Sequence, residues 1–64
     1  RDNLDRIYGM KGIVTEEIIK NKSGVVKIDG KYWTAVSDND IPVDSIVRVL
    51  EINSVKLKVE KVED

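Results

Sequence analysis

The sequence predicts an all-β protein folded as one small five-stranded barrel. Three observations carry this. The apolar content is almost entirely Val, Ile and Leu with no Phe, and β-branched residues fit the pleated, half-buried surface of a strand. Asp29-Gly30 stands between two β-branched runs, a pair suited to a two-residue hairpin turn because both of its residues take positive φ. Five strand-like segments with short connections share 64 residues, too little length for two packed sheets, whereas closing the strands on themselves removes exposed edges and encloses one core.

In chain order, Arg1–Tyr8 is charged, with Leu4 and Ile7 at i,i+3 spacing and Asp2 or Asn3 able to cap a short helical turn. Alone it is too short to stay helical in water, so residues 1–8 read as a linker or lead-in and 9–64 as the domain. Gly9 and Gly12 bracket the start of the first strand, Lys11–Ile19. There Ile13, Val14, Ile18 and Ile19 fall on both parities, the pattern of a bent strand with a bulge. Lys20–Ser23 is a polar loop closed by Gly24.

The hairpin follows as Val25–Ile28 and Tyr32–Val36. In its second arm Trp33, Ala35 and Ser37 share one face while Tyr32, Thr34 and Val36 share the other. Ser37-Asp38-Asn39-Asp40 is a cluster of turn formers, and Ile41-Pro42 ends any ladder because Pro has no N–H. Ile46–Ile52 is the fourth strand and Asn53-Ser54 the expected second hairpin turn. The last strand, Val55–Val62, alternates: Val55, Leu57 and Val59 are expected inward, with Lys56, Lys58 and Glu60 outward. The long bent first strand favours an OB-fold barrel over an SH3-like one.

Composition removes several function classes. The net charge of −1 encodes no bulk attraction to nucleic acid or anionic lipid. Cysteine and histidine are absent, so neither disulfides nor thiolate metal sites staple the fold. A nucleophile would need a Ser-Lys pair or a carboxylate dyad. Ser23, Ser37, Ser45 and Ser54 all fall in expected turns, where hydroxyls bond nearby backbone. Asp38, Asp40 and Asp44 lack the central Gly and terminal Glu of a calcium loop and read as a solvated turn. The expectation is a non-enzymatic domain with no cofactor and no metal. More than a third of residues are charged, with both signs interleaved, a balance that resembles heat-adapted proteins. No apolar run approaches the ~20 residues that cross a bilayer. The start at Arg1 rather than Met suggests a processed form or excised fragment.

The ordered set Gly9-x-x-Gly12, Gly24-x-Val26-x-Ile28-x-Gly30, Trp33-x-Ala35-x-Ser37, Ile41, Val47-Arg48-Val49 and Leu57-x-Val59 resembles the C-terminal soluble domain of the NfeD family. That domain is an OB-fold barrel attached to membrane proteins. The departures are Lys22 and Ser23 where the family usually has Pro before the glycine, a slightly longer loop before Gly24, and no glycine near Asp44 or Ser54. The resemblance implies a protein-interaction or assembly module of an NfeD-like membrane protein, joined to a transmembrane region absent from this chain. It also implies a location at the membrane, on the cytoplasmic side, and a stomatin-type partner (slipin or prohibitin-like) or self-association. Long family members carry a Ser-Lys protease domain; this chain contains none of it, so its serines inherit no catalytic role.

The only Trp, one of the two Tyr and the one consecutive aromatic pair lie on the hairpin. Lys31, Tyr32 and Trp33 are therefore the candidate partner-binding residues, with Trp33 either a barrel-closing core residue or an interface anchor. The alternative function is a single-stranded nucleic-acid-binding OB module, in which Tyr32 and Trp33 stack bases beside Lys27 and Lys31. The sparse aromatics and acidic balance speak against it. Lys56, Lys58 and Lys61 form a basic stripe that reads as a solvated face guarding a strand edge.

Overall fold

The computed structural model describes residues 3–63. A 3₁₀ helix at Asn3–Ile7 leads into five strands: β1 (Lys11–Glu16), β2 (Gly24–Ile28), β3 (Lys31–Val36), β4 (Ile46–Asn53) and β5 (Lys56–Lys61). They close into a barrel in the order β1-β2-β3-β5-β4. All neighbouring strands are antiparallel except β3 and β5, which run parallel through Thr34↔Lys56, Ala35↔Leu57 and Val36↔Lys58. This is the closed five-stranded OB-type architecture that the short, evenly spaced strands predict.

The core is aliphatic. Val14, Ile18, Val26, Ile28, Ala35, Ile41, Val47, Val49, Leu57 and Val59 are buried. Val26 and Ile28 lie two apart on β2, and Leu57 and Val59 two apart on β5, as the strand period of two requires. Each such side chain contributes about 1.5–3 kcal/mol when fully buried. With no disulfide to assist, this packing sets the stability.

The bend of β1 has two visible causes. Its ladder with β2 slips between Val14 and Glu16, so Thr15 is the extra residue of a bulge, and its hydroxyl donates to the Val25 carbonyl at 3.3 Å. Glycine is required where the bent chain is crossed: a Cβ at Gly12 would collide with Ile28 and the Lys27 carbonyl, and one at Gly24 with the carbonyls of Glu16 and Glu17. Regular strand ends at Glu16, three residues before the expected limit, and continues as single bridges from Ile18 to Ile41 and from Ile19 to Lys22. A second bulge sits in β4, where the ladder to β5 slips between Val49 and Glu51 and Leu50 is pushed outward, 40% exposed.

Two expectations are corrected. Residues 3–7 are not a free lead-in: Ile7 is 1% exposed and belongs to the core cluster. The Gly9 N–H donates to the Val49 carbonyl at 3.0 Å, which ties this segment to β4. A helix too short to persist alone is held here by tertiary packing. The capping reading of Asp2 and Asn3 rests on side chains outside those described. Second, Val55 does not point inward. Asn53 pairs with Lys56, so the turn is Ser54-Val55, one residue later than expected, and Val55 is 74% exposed.

Candidate partner interface at the hairpin end

The β2–β3 hairpin forms at the residues the sequence marks. Asp29 and Gly30 have φ of 55° and 78°, the left-handed pair that matches the twist of the flanking strands. Its ladder runs from Gly24↔Ala35 to Ile28↔Lys31. The tip is fastened to the N-terminal helix by Arg6, whose Nη1 lies 2.6 Å from Asp29 Oδ2, with both side chains solvent-accessible. An exposed pair of this kind adds little stability, but it sets where the tip lies relative to the helix.

The three candidate residues do not share one surface. Tyr32 points outward and is 66% exposed. It stands opposite Lys27 across the hairpin, whose Nζ lies 5.5 Å from the ring centroid, a cation–π contact between the two arms. Lys31 is exposed beside the turn. Trp33 points the other way, partly buried against the core. Its indole N–H donates to the Ile28 carbonyl at 3.2 Å, so the polar edge of the ring is satisfied inside the hairpin. Alternation along β3 separates the aromatic pair that adjacency in sequence suggests.

Strand directions assemble a larger surface around these residues. The starts of β1, β3 and β5 and the ends of β2 and β4 meet at one end of the barrel, together with the N-terminal helix. Met10, Trp33 and Ile52 are partly buried there against the core, while Tyr8, Leu50 and Val55 are exposed. Arg48 lies beside them, its Nη1 donating to the Gly9 carbonyl at 2.8 Å. Sequence reasoning found only Trp33 in this group. The change of apolar parity from Val47 and Val49 to Leu50 and Ile52 is the signal that marks the β4 bulge and hence exposed Leu50.

The opposite end is different. A groove of about 320 Å³ lies there between Ser37–Ile41 and the end of β5, lined by Asp40, Glu60, Lys61 and Glu63. Ser37 is buried and accepts the Asn39 N–H at 3.1 Å in a serine turn. Asp38 pairs with Lys58 Nζ at 3.2 Å, and Asp40 accepts the Lys20 N–H at 2.7 Å. Among the described residues no cluster of three or more His, Cys, Asp or Glu is placed to hold a metal ion. No helix among them is long and apolar enough to cross a membrane.

Comparison with known proteins agrees with this architecture. The chain is 36% identical over 59 residues to the uncharacterized protein MJ0826 of Methanocaldococcus jannaschii, a match covering 92% of this chain but only 43% of that protein. The chain thus spans less than half the length of this curated relative. Among solved structures it resembles the C-terminal domain of stomatin operon partner protein 1510-C from Pyrococcus horikoshii, with TM-score 0.83, 29% identity and 94% of both chains covered. It also resembles the soluble domain of the NfeD protein YuaF from Bacillus subtilis, with TM-score 0.86 and 28% identity over 95% of this chain and 80% of that one. A third likeness is to the soluble domain of a membrane protein implicated in regulation of membrane protease activity from Corynebacterium glutamicum, with TM-score 0.81, 28% identity, and 89% and 94% coverage. The family model for the NfeD-like C-terminal, partner-binding domain matches residues 4–61, and with the closed barrel and these likenesses it establishes that the chain belongs to the NfeD-like C-terminal, partner-binding domain family.

Proposed function

We propose that this domain acts without catalysis, as the docking module of an NfeD-like membrane protein at the cytoplasmic side of the membrane. Its partner on this reading is a stomatin-type membrane protein, and the contact includes Lys31, Tyr32 and Trp33. The single observation that carries it is the hairpin itself: a large aromatic ring, 66% exposed, held by Lys27 on a strand fixed at both edges. Exposed aromatics on rigid elements are the usual anchors of protein interfaces. The name of the Pyrococcus relative as a stomatin operon partner supports the choice of partner. Trp33 contributes from the other face of β3, through the part of its ring left uncovered by the core.

Binding of a stomatin-type protein to the immobilised domain tests this. Tyr32→Ala and Lys31→Glu are each expected to weaken binding by about tenfold or more, ~1.4 kcal/mol. Undiminished binding by both folded variants removes these residues from the contact. Absence of binding by the unaltered domain removes the stomatin-type partner.

A further inference from the structure

We propose that the partner seats an acidic amphipathic segment, an apolar side chain between carboxylates, on the hairpin end of the barrel. This rests on the docking function above and specifies the surface and the chemistry it recognises.

The end has a floor and a rim. Met10, Trp33 and Ile52 form an incompletely covered apolar floor against the core. Tyr8 after the helix, Leu50 at the β4 bulge and Val55 in the β4–β5 turn are exposed, at 51%, 40% and 74%. Apolar surface ringed by polar groups marks an interaction site. The trp indole N–H is already bonded to Ile28, so this floor offers contact area rather than a hydrogen bond.

Charge chooses the occupant. Lys11, Lys31 and Lys56 open β1, β3 and β5 at this end, and Arg48, third on β4 and opposite Glu60, reaches it through its bond to the Gly9 carbonyl. Of the acids described there, Asp29 is taken by Arg6, leaving Asp5 and Glu51, since the Lys58 that stands opposite Glu51 is paired with Asp38. The far end carries the reverse excess, with Glu16, Glu17, Asp38, Asp40, Asp44 and Glu63 against Lys20, Lys22 and Lys61 in its loops and strand ends. A molecule with a net charge of only −1 is therefore electrically two-ended. An acidic segment is drawn to the hairpin end and repelled from the other, which fixes its orientation on approach. The inward setting of Trp33 favours a protein segment over a bilayer, because the ring is not free to sit at headgroup level as an interfacial anchor does.

The test is an amide and indole shift titration of the whole domain with a short synthetic peptide carrying a Leu-Trp-Leu anchor between Glu-rich flanks. Saturable shifts are expected at Tyr8, Leu50, Val55 and the Trp33 indole. Affinity should fall by about tenfold in Val55→Asp and in the folded double variant Lys31→Glu with Lys56→Glu, and should fall with added salt. A peptide with Lys-rich flanks should not bind. Several outcomes overturn the proposal: no saturable shifts, shifts confined to the acidic end, equal affinity for the Lys-rich peptide, or the same shifts with phosphatidylserine vesicles but none with the peptide. Concentration-dependent shifts at Tyr8, Leu50 and Val55 without peptide would overturn it by assigning the end to self-association. If a stomatin-type protein binds through the acidic end and ignores Val55→Asp, this inference fails and the docking function stands.

Discussion

Among the described residues, four other than glycine occupy the left-handed region: Asn21, Asp29, Asp44 and Ser54. Asn and Asp tolerate it because a short polar side chain bonds locally, whereas Ser gains less from this and carries the full Cβ clash. Asp44 and Ser54 are the positions near which the family pattern expects glycine and this sequence has none. The turn geometry is therefore kept and the permissive residue is not. Replacing Ser54 with Gly should relieve the clash, ~1–2 kcal/mol, while adding back part of it as unfolded-chain entropy. Ser54→Gly is thus expected to raise unfolding stability by about 0.5–1 kcal/mol in urea titration. An unchanged midpoint would mean that Ser54 is not strained. Gly30 is the converse case, sitting at φ 78° where a side chain would add strain for no contact.

At the scale of elements, the N-terminal 3₁₀ helix is the piece whose standing changes most. Its charged composition and short length make it look dispensable, yet Ile7 is fully buried and Gly9 and Met10 exchange backbone bonds with Val49. Ile7→Ala should cost about 2–5 kcal/mol, the range for large-to-small changes in a close-packed core. A loss below ~1 kcal/mol in denaturant would show that the helix only rests on the barrel. The hairpin shows the opposite balance of local and tertiary causes. Its turn, register and facing are set by Asp29-Gly30 and by period-two alternation, and it forms where those signals place it.

For the whole molecule, one small aliphatic core in a closed barrel must offset the chain entropy of all its residues. The interleaved Lys and Glu and the absence of cysteine and histidine suit the heat-adapted pattern in which charge networks supplement a limited core. The domain is expected to unfold cooperatively with a midpoint above about 65 °C by calorimetry, the upper end for mesophile domains. A lower midpoint would count against heat adaptation. The opposite excess of charge at the two ends also belongs to this scale. No stretch of the sequence displays it, because each end collects residues from turns and strand termini far apart in the chain.

What the sequence determined by itself is what short-range physics governs. Strand period, β-branched composition and turn chemistry place four of the five strands within a residue or two, locate the hairpin turn, and require a bulge in a first strand whose apolar residues fall on both parities. They also place Tyr32 and Trp33 on opposite faces of β3. What only the tertiary structure decided is which of these residues meet. Strand order closes the barrel through β3 and β5 in parallel, a pairing with no local signal. It carries Ile7 into the core and moves the second turn to Ser54-Val55 so that Val55 projects outward. It also gathers Tyr8, Leu50 and Val55 around Trp33's end of the barrel. The reason is physical: alternation and turn propensity act over a few residues, while burial and charge clustering depend on which distant strands the closed ladder sets side by side.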